Sequence, residues 1–142
     1  MERALETIKP VNAIQPASRA AGTVNGDAID TAGFSDIVYT IAAGAIDAGI
    51  TGVDVKIQES ADGSTGWADI TSAAIASLDG DDDGAVPTIG VRCGGRAAGT
   101  RKRYQRAVLV VAGTGNAVCG VVCHLTQPSS APVTNTPVSV LA

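Results

Sequence analysis

Apolar residues recur at every second position in several short stretches of this chain, which is the pattern of strands buried on one face. The clearest stretch is residues 53–58, VDVKIQ, and residues 37–41 alternate in the same way. Residues 107–112 are apolar on both faces, which predicts a strand in the middle of a sheet. In residues 117–125 the odd-numbered residues are apolar and should share one buried face. The pattern therefore predicts a mainly β chain.

Turn-forming residues separate these predicted strands. Residues 25–26, Asn-Gly, are typical of a β-hairpin because both accept positive φ. Residues 61–64, Ala-Asp-Gly-Ser, and residues 113–116, Gly-Thr-Gly-Asn, are expected to turn the chain into the strands that follow. Pro87 marks an edge strand or a bulge, and residues 71–78 are compatible with a short helical turn.

The elements predict an all-β fold, an antiparallel two-sheet β-sandwich whose topology is either jelly-roll-like or immunoglobulin-like. We place the sandwich domain at residues 19–127. Residues 1–18 are interpreted as an extended N-terminal arm, with which a short helix near residues 2–8 is compatible. Residues 128–142 contain three prolines and no charge and are interpreted as an extended C-terminal arm. Such arms bury little of themselves, so we expect a neighbouring subunit to hold them.

Composition supports the β prediction and disfavours the binding of sugars or single-stranded nucleic acids. Val, Ile and Thr number 16, 11 and 13, against 5 Leu and 1 Met, and β-branched side chains suit a pleated surface. The chain has 1 Trp, 2 Tyr and 1 Phe, which leaves little for the aromatic platforms that bind sugars or single-stranded nucleic acids. We therefore expect Trp67 to be mostly buried in the core.

Charge is unevenly distributed along the chain, although the net charge is only −4. Residues 1–83 contain 4 basic and 14 acidic residues, whereas residues 84–142 contain 6 basic residues and no acid. The basic residues of the second part form one segment: Arg92, Arg96, Arg101, Lys102, Arg103 and Arg106. This segment is compatible with a solvated loop, a protein contact or a nucleic-acid contact. We expect no direct nucleic-acid binding, because a chain with a pI of about 4.7 repels a polyanion.

An acidic run at residues 79–84, DGDDDG, resembles the start of a calcium-binding loop. Position 12 of such a loop would be Gly90, where a bidentate Glu is needed, and Pro87 interrupts the loop. A solvated acidic turn is the preferred interpretation, while a weak cation site or an acidic contact for a protein partner stays open. The residues that would make this contact are Asp79, Asp81, Asp82 and Asp83.

The remaining motifs give little support for nucleotide binding, metal binding or catalysis. Residues 108–115 end in Gly-Thr-Gly but lack the third glycine and the downstream acid of a dinucleotide-binding loop. His124 is the only histidine and should face away from Cys119 and Cys123, so these three side chains cannot converge on a zinc ion. The three cysteines, an odd number, are expected to be small buried hydrophobes. We therefore predict no enzyme activity, no cofactor and no metal.

No secretory or membrane signal is visible in the sequence. The first ten residues lack a continuous apolar segment, and no apolar run approaches the ~18 residues that cross a membrane. We expect a chain that is made in a cytoplasm and has no membrane partner.

Two segments resemble small structural proteins of tailed bacteriophages. Residues 53–70, VDVKIQESADGSTGWADI, are similar to a strand–turn–strand unit of those proteins. Residues 103–111, RYQRAVLVV, with the glycine turn and apolar strand that follow, are similar to their closing hairpin, and the resemblance covers roughly residues 35–127. The Asp-Gly-Ser-Thr motif before a Trp is also found in fibronectin-like and discoidin-like β-sandwiches that bind sugars or proteins.

The resemblance implies a capsid decoration (cement) protein on the outer surface of a phage head. Such proteins bridge neighbouring major capsid subunits, often as trimers. The implied partners are the major capsid protein and further copies of this chain, with a trimer favoured, and the implied location is the virion after synthesis in the host cytoplasm. The C-terminal arm would add contact residues: Pro132, Val133, Pro137, Val138, Val140 and Leu141. The alternatives are a tail or head-fibre component and a glycan-binding β-sandwich.

Overall fold

The computed structural model describes residues 4–93, 101–131 and 133, and strands occupy most of this length. The elements are, in chain order, α1 (Ala4–Thr7), β1 (Lys9–Arg19), β2 (Gly22–Asn25), β3 (Ile29–Asp30), β4 (Phe34–Ile46), β5 (Ile50–Ser60), β6 (Ala68–Leu78), β7 (Thr88–Arg92), β8 (Tyr104–Gly113) and β9 (Ala117–Pro128). A short 3-10 turn, Gly80–Asp82, lies between β6 and β7. Among the described residues, no helix is long and apolar enough to cross a membrane.

The strands form two packed antiparallel sheets. Sheet I has the order β1-β9-β4-β7, and sheet II has the order β2-β8-β5-β6, with β3 also paired to β8. If β2 and β3 are taken as one interrupted strand, the eight strands follow the jelly-roll order, in which the chain passes repeatedly between the sheets. The predicted two-sheet β-sandwich is confirmed, and the strand order selects the jelly-roll topology.

Side chains from both sheets fill the space between them. The inward-facing residues of β4 and β9 are buried, as their alternation predicts: Ile37, Tyr39, Ile41, Ala117, Cys119, Val121, Cys123 and Leu125. One polar connection crosses this core. The Tyr39 hydroxyl in sheet I donates to Gln105 Oε1 in sheet II at 3.1 Å, and Gln105 Nε2 donates to the Arg92 carbonyl oxygen at 3.1 Å. The bonds satisfy two buried polar side chains and tie the sheets together.

The prediction of a hairpin at residues 25–26 is wrong. The strands on either side of this dipeptide both pair with β8, so the chain continues in one direction. A Cβ atom at Gly26 would lie 2.5 Å from the Ala13 carbonyl oxygen and 2.9 Å from that of Ala107. The close passage of three backbones, and not a hairpin turn, therefore explains this glycine.

Residues 113–116 turn the chain as expected, but the hairpin predicted around them is also wrong. They connect β8 of sheet II to β9 of sheet I. Each of these strands already lies between two neighbours in its own sheet, so the two cannot pair with each other. Gly113 has a φ of 108°, and a Cβ atom there would lie 2.6 Å from the Thr51 amide nitrogen. The turn therefore requires glycine.

Strand β6 occupies the segment where a short helical turn was compatible with the sequence. Ser72 and Ser77 have φ values of 65° and 63°, and the pairing with β5 shifts register twice. The Asp54 carboxylate accepts a hydrogen bond of 2.6 Å from the Ser77 amide. Bulges of this kind add residues and interrupt the alternation, which is why the segment does not resemble a strand in sequence.

The N-terminal boundary of the domain also differs from the prediction. β1 pairs with β9 along its whole length, and Ala13 and Ile14 are buried in the core. Residues 9–18 therefore belong to the sandwich, and the extended arm predicted for them is wrong. Pro10, Pro16 and two register shifts interrupt the alternation of β1, so the sequence pattern does not identify it as a strand.

Candidate protein-contact surfaces

The outer face of sheet I is uncharged over most of its area. The register places side chains of all four strands in rows on this side, and we call the following set the neutral face: Pro10, Asn12, Val38, Thr40, Ala42, Thr88, Gly90, Val122 and His124. All nine are exposed or half-buried. Charged side chains begin at one end, where Asp36 and Arg92 are register partners. Because interfaces exclude charge from their centres, the neutral face can be covered by a protein at little electrostatic cost.

His124 is the titratable group of the neutral face. It lies in one row with Pro10 and Val38, on the side of β9 opposite to the buried cysteines, as its position in the strand predicts. Within residues 4–93, 101–131 and 133, no group of three or more His, Cys, Asp or Glu could hold a metal ion.

The outer face of sheet II differs because a chain of polar side chains runs across three of its strands. We call Lys56, Gln58, Asp69 and Arg106 the polar ladder. Arg106 donates to Gln58 Oε1 from Nε at 2.9 Å and from Nη2 at 2.8 Å. Gln58 Nε2 donates to Asp69 Oδ1 at 2.7 Å, and Lys56 Nζ lies 2.9 Å from Asp69 Oδ2. The bonds from Gln58 and then Lys56 lower the pKa of Asp69, so the ladder stays charged.

Trp67 lies against the polar ladder and outside the core. The Arg106 guanidinium lies 4.4 Å from the centre of the Trp67 ring, and the indole is half-buried. The expectation that Trp67 is mostly buried agrees with its low exposure, but its expected place in the core is wrong, because smaller aliphatic side chains fill the space between the sheets. Sequence reasoning missed this surface, although the outward alternation of Lys56 and Gln58 was a signal for it.

Two arginines of the basic segment pair with carboxylates elsewhere in the chain. Arg103 forms a bidentate pair with Asp30, at 2.8 Å from Nε and 2.7 Å from Nη2, and these bonds lower the pKa of Asp30. Arg101 Nη1 lies 3.7 Å from a Glu59 oxygen, and the Lys102 amide donates to the same carboxylate at 3.0 Å. The Lys102 ammonium lies 3.4 Å from the Gly66 carbonyl oxygen and Arg106 binds the neutral Gln58 amide, so the described carboxylates neutralise only part of the segment's charge.

Two residues of the basic segment, Arg92 and Arg96, remain to be placed. Arg92 is exposed at the end of the edge strand β7, and its side chain makes no ion pair with another described residue. Arg96 lies outside the described residues. The role of the segment in protein contact stays a prediction.

The acidic run forms a compact turn at the opposite end of the sandwich. Asp79 begins the 3-10 turn and accepts a hydrogen bond from the Asp81 amide at 3.0 Å, while the Asp82 carboxylate accepts one from the Asp79 amide at 3.1 Å. Asp83 accepts a bond of 2.7 Å from the Ile46 amide at the end of β4. Three of the four carboxylates thus hold the chain's own backbone, although Asp79 and Asp83 are exposed, as Asp81 is.

The structure describes little of the C-terminal arm. The Ser129 amide donates to the Gly33 carbonyl oxygen at 2.7 Å, and the Val133 amide donates to the Glu6 carbonyl oxygen at 3.0 Å. Val133 also packs against the core. The other proposed contact residues of the arm lie outside the described residues: Pro132, Pro137, Val138, Val140 and Leu141.

The sheet edges are poorly suited to adding a strand from another chain. β1 contains Pro10, Pro16 and two register shifts, and β6 contains the two bulges. β7 has five residues and follows Pro87, which agrees with the expected edge position, and β2 has four residues. Prolines, bulges and short length are the features by which natural sheets block edge pairing. Contacts with other proteins are therefore expected through faces.

Comparison with known proteins gives a likeness in fold. No protein-family model matches the sequence, and no curated protein matches it. The solved structure of the exported protein XepA of PBSX is similar, with a TM-score of 0.58 and 16% identity, over 100% of this chain and 44% of XepA. This chain therefore spans less than half the length of XepA. At this identity the likeness shows the fold alone.

Two other solved structures show a weaker likeness. A Bacillus endospore appendage protein, from disulfide-linked pili, gives a TM-score of 0.47 and 14% identity over 85% of this chain and 89% of its own. The CBM22-1-GH10 modules of the Clostridium thermocellum xylanase 10B, complexed with xylohexaose, give 0.42 and 8% over 92% and 29%.

Proposed function

We propose that this chain is a non-enzymatic structural protein of a phage particle, a capsid decoration protein that packs on the major capsid protein through its neutral face. The neutral face carries this proposal. A sheet face that remains in water normally bears charged or strongly polar side chains, as the outer face of sheet II does. An uncharged outer sheet face is instead suited to contact with another protein.

The size of the neutral face suits a contact that is repeated many times. Four strands about 4.8 Å apart and about seven residues of about 3.4 Å each give roughly 450 Å². A stable pairwise interface buries about 800 Å² on each partner. One such contact is therefore weak, and repetition over a capsid lattice would supply the missing affinity through avidity.

The fold supports a phage origin at a coarser level. XepA, which shares it, is an exported protein of the phage PBSX. A rigid jelly-roll body that presents a packing face is the kind of module that a virion surface uses. We further propose that the chain assembles with copies of itself, with a trimer favoured, and that it makes no direct contact with nucleic acid.

A matched pair of variants tests the neutral face. Ala42 and Ala112 are both exposed strand residues, on the outer faces of sheet I and sheet II respectively. Ala42→Asp should lower occupancy on decoration-free capsids at least about tenfold, because a carboxylate buried without a partner costs more than about 1.4 kcal/mol. Ala112→Asp should bind as the wild type does. Occupancy is measured by quantitative mass spectrometry of gradient-purified particles. Equal occupancy of the two variants would contradict the role of the neutral face.

Two further measurements test the decoration role itself. A chain that ends after Val133 keeps every described element, so it should fold normally and yet occupy fewer capsid sites if the C-terminal arm grips a neighbour. Mass spectrometry of separated heads and tails should find the protein with the heads. Recovery with the tails would replace the decoration role by the tail-component alternative.

A further inference from the structure

The only tryptophan of the chain is held on a surface by a loop of fixed shape. Trp67 follows the β5–β6 loop, in which Ser60 Oγ donates to the Thr65 carbonyl oxygen and Asp62 accepts backbone bonds of 2.9 and 2.8 Å from Ser64 and Thr65. The Tyr104 ring packs against this loop, so closely that a Cβ atom at Gly63 would lie 3.0 Å from it. These contacts fix the backbone of the loop that leads into Trp67, and the Arg106 guanidinium lies against the indole itself.

The polar ladder beside Trp67 has hydrogen-bonding capacity beyond its internal bonds. A guanidinium has five N–H donors, and the bonds of Arg106 to Gln58 use Nε and Nη2. Lys56 has three N–H donors and gives one to Asp69. The side chains of Lys56 and Asp69 are 40% and 57% exposed, so their remaining donors and acceptors face solvent. Each side chain is also oriented by its neighbour, which lowers the entropic cost of binding a ligand.

We propose that Trp67 and the polar ladder form a carbohydrate-binding site that takes a flat, β-linked pyranose chain. A pyranose ring with equatorial hydroxyl groups presents an apolar C–H face, which stacks on an indole, and pairs of adjacent hydroxyl groups, which fit planar amide, carboxylate and guanidinium groups. The Arg106 guanidinium covers one face of the indole at 4.4 Å, so the pyranose ring would stack on the opposite face. The site lies on the face of a sheet, so it matches an extended ribbon better than a compact molecule.

This site is separate from the proposed packing surface. Trp67 and the polar ladder lie on sheet II, whereas the neutral face lies on sheet I. A particle-bound copy could therefore hold a polysaccharide on the side opposite to its packing contact. The inference goes beyond the decoration role, and either can fail without the other.

Because Trp67 is the only tryptophan, its fluorescence reports on this site alone. The full chain is titrated with soluble xylan, mixed-linkage β-glucan and glycol chitin, with α-linked dextran as the comparison polymer. We expect at least one β-linked polymer to shift the emission and to protect the indole from acrylamide, and dextran to do neither. No response to any of the three β-linked polymers, or an equal response to dextran, would overturn the proposal.

Substitutions at Asp69 and Trp67 test where on the protein the β-linked polymer binds. Asp69→Ala removes the centre of the polar ladder and should weaken binding about tenfold, and Trp67→Ala, followed by affinity electrophoresis, should abolish it. Thr88→Ala, an exposed strand residue of the neutral face, serves as the control and should bind as the wild type does. Thermal melting of each variant shows whether it folds, and Gln58→Ala replaces any that does not. Unchanged affinity of folded Asp69→Ala and Trp67→Ala would place the binding elsewhere and refute the site.

Discussion

At the scale of single residues, Asp62 shows how one side chain fixes a loop. Its Oδ2 accepts a hydrogen bond of 2.6 Å from the Thr65 hydroxyl, and its Oδ1 accepts from the amides of Thr65 and Ser64. These bonds, with that from the Thr65 hydroxyl first, hold the pKa of Asp62 well below its ordinary value. The loop that presents Trp67 therefore depends on an ionised carboxylate.

The pH dependence of stability should reveal this carboxylate. Since the pKa of Asp62 is lower in the folded state, its ionised form stabilises the fold above the unfolded-state pKa of about 3.9, and this contribution is lost as the pH falls further. Asp62→Asn cannot ionise, so it should melt below the wild type at pH 6, and the difference should shrink towards pH 2. Melting curves followed by circular dichroism measure this. Asp81→Asn, in a different turn, is the control, and a difference that does not change with pH would contradict the argument.

Predictions about single residues were correct where the structure depends on residues that are close in sequence. The turn at residues 61–64 follows from Asp and Gly chemistry within the segment itself, and the sequence predicts it correctly. The partners of the basic residues could not be predicted, because Arg103 pairs with Asp30 across 73 positions of sequence. The place of Trp67 depends on how well other side chains fill the core, which no single position reveals.

At the scale of elements, the alternation of apolar and polar residues identified strands but not which strands pair with each other. The buried faces of β4, β5 and β9 match the period-two pattern, since each residue's side is fixed by the backbone alone. The hairpins predicted at residues 25–26 and 113–116 fail because a glycine can mark a close approach or a crossing between sheets as well as a hairpin. β1 was not predicted as a strand, and β6 was predicted only at its start, because bulges and prolines interrupt their alternation.

Removing the hydroxyl that joins the two sheets should destabilise the protein. Tyr39→Phe leaves Gln105 Oε1 without its donor in the core, and an unsatisfied buried acceptor costs about 1–3 kcal/mol. The free energy of unfolding from urea titration measures the loss. Tyr104→Phe, at a half-buried position on the outer face of sheet II, should change it by less than about 0.5 kcal/mol. Equal effects of the two variants would mean that the bond contributes nothing.

At the scale of the whole molecule, the three cysteines test how tightly the sandwich closes. All three are free and buried, which confirms the expectation for them. Burial raises the pKa of Cys93 to about 11 and that of Cys123 to about 12. Thiolates are the reactive form, so at pH 8 the folded protein should react with a disulfide reagent over hours, and the chain in denaturant within minutes. Three thiols should be counted after unfolding, and rapid labelling of the folded protein would show that the core opens readily.

The contact between the segments that flank β1 and β9 has a mechanical consequence. Glu6 and Val133 meet through a backbone hydrogen bond, and β1 and β9 run antiparallel from that point. A force that pulls the two ends apart would load the β1–β9 bonds one after another and unzip the strands at low tension. A force that slides neighbouring strands lengthwise past each other would instead load many bonds at once. Traction applied at Glu6 and Val133 therefore makes the β1–β9 pair the first part of the sandwich to separate.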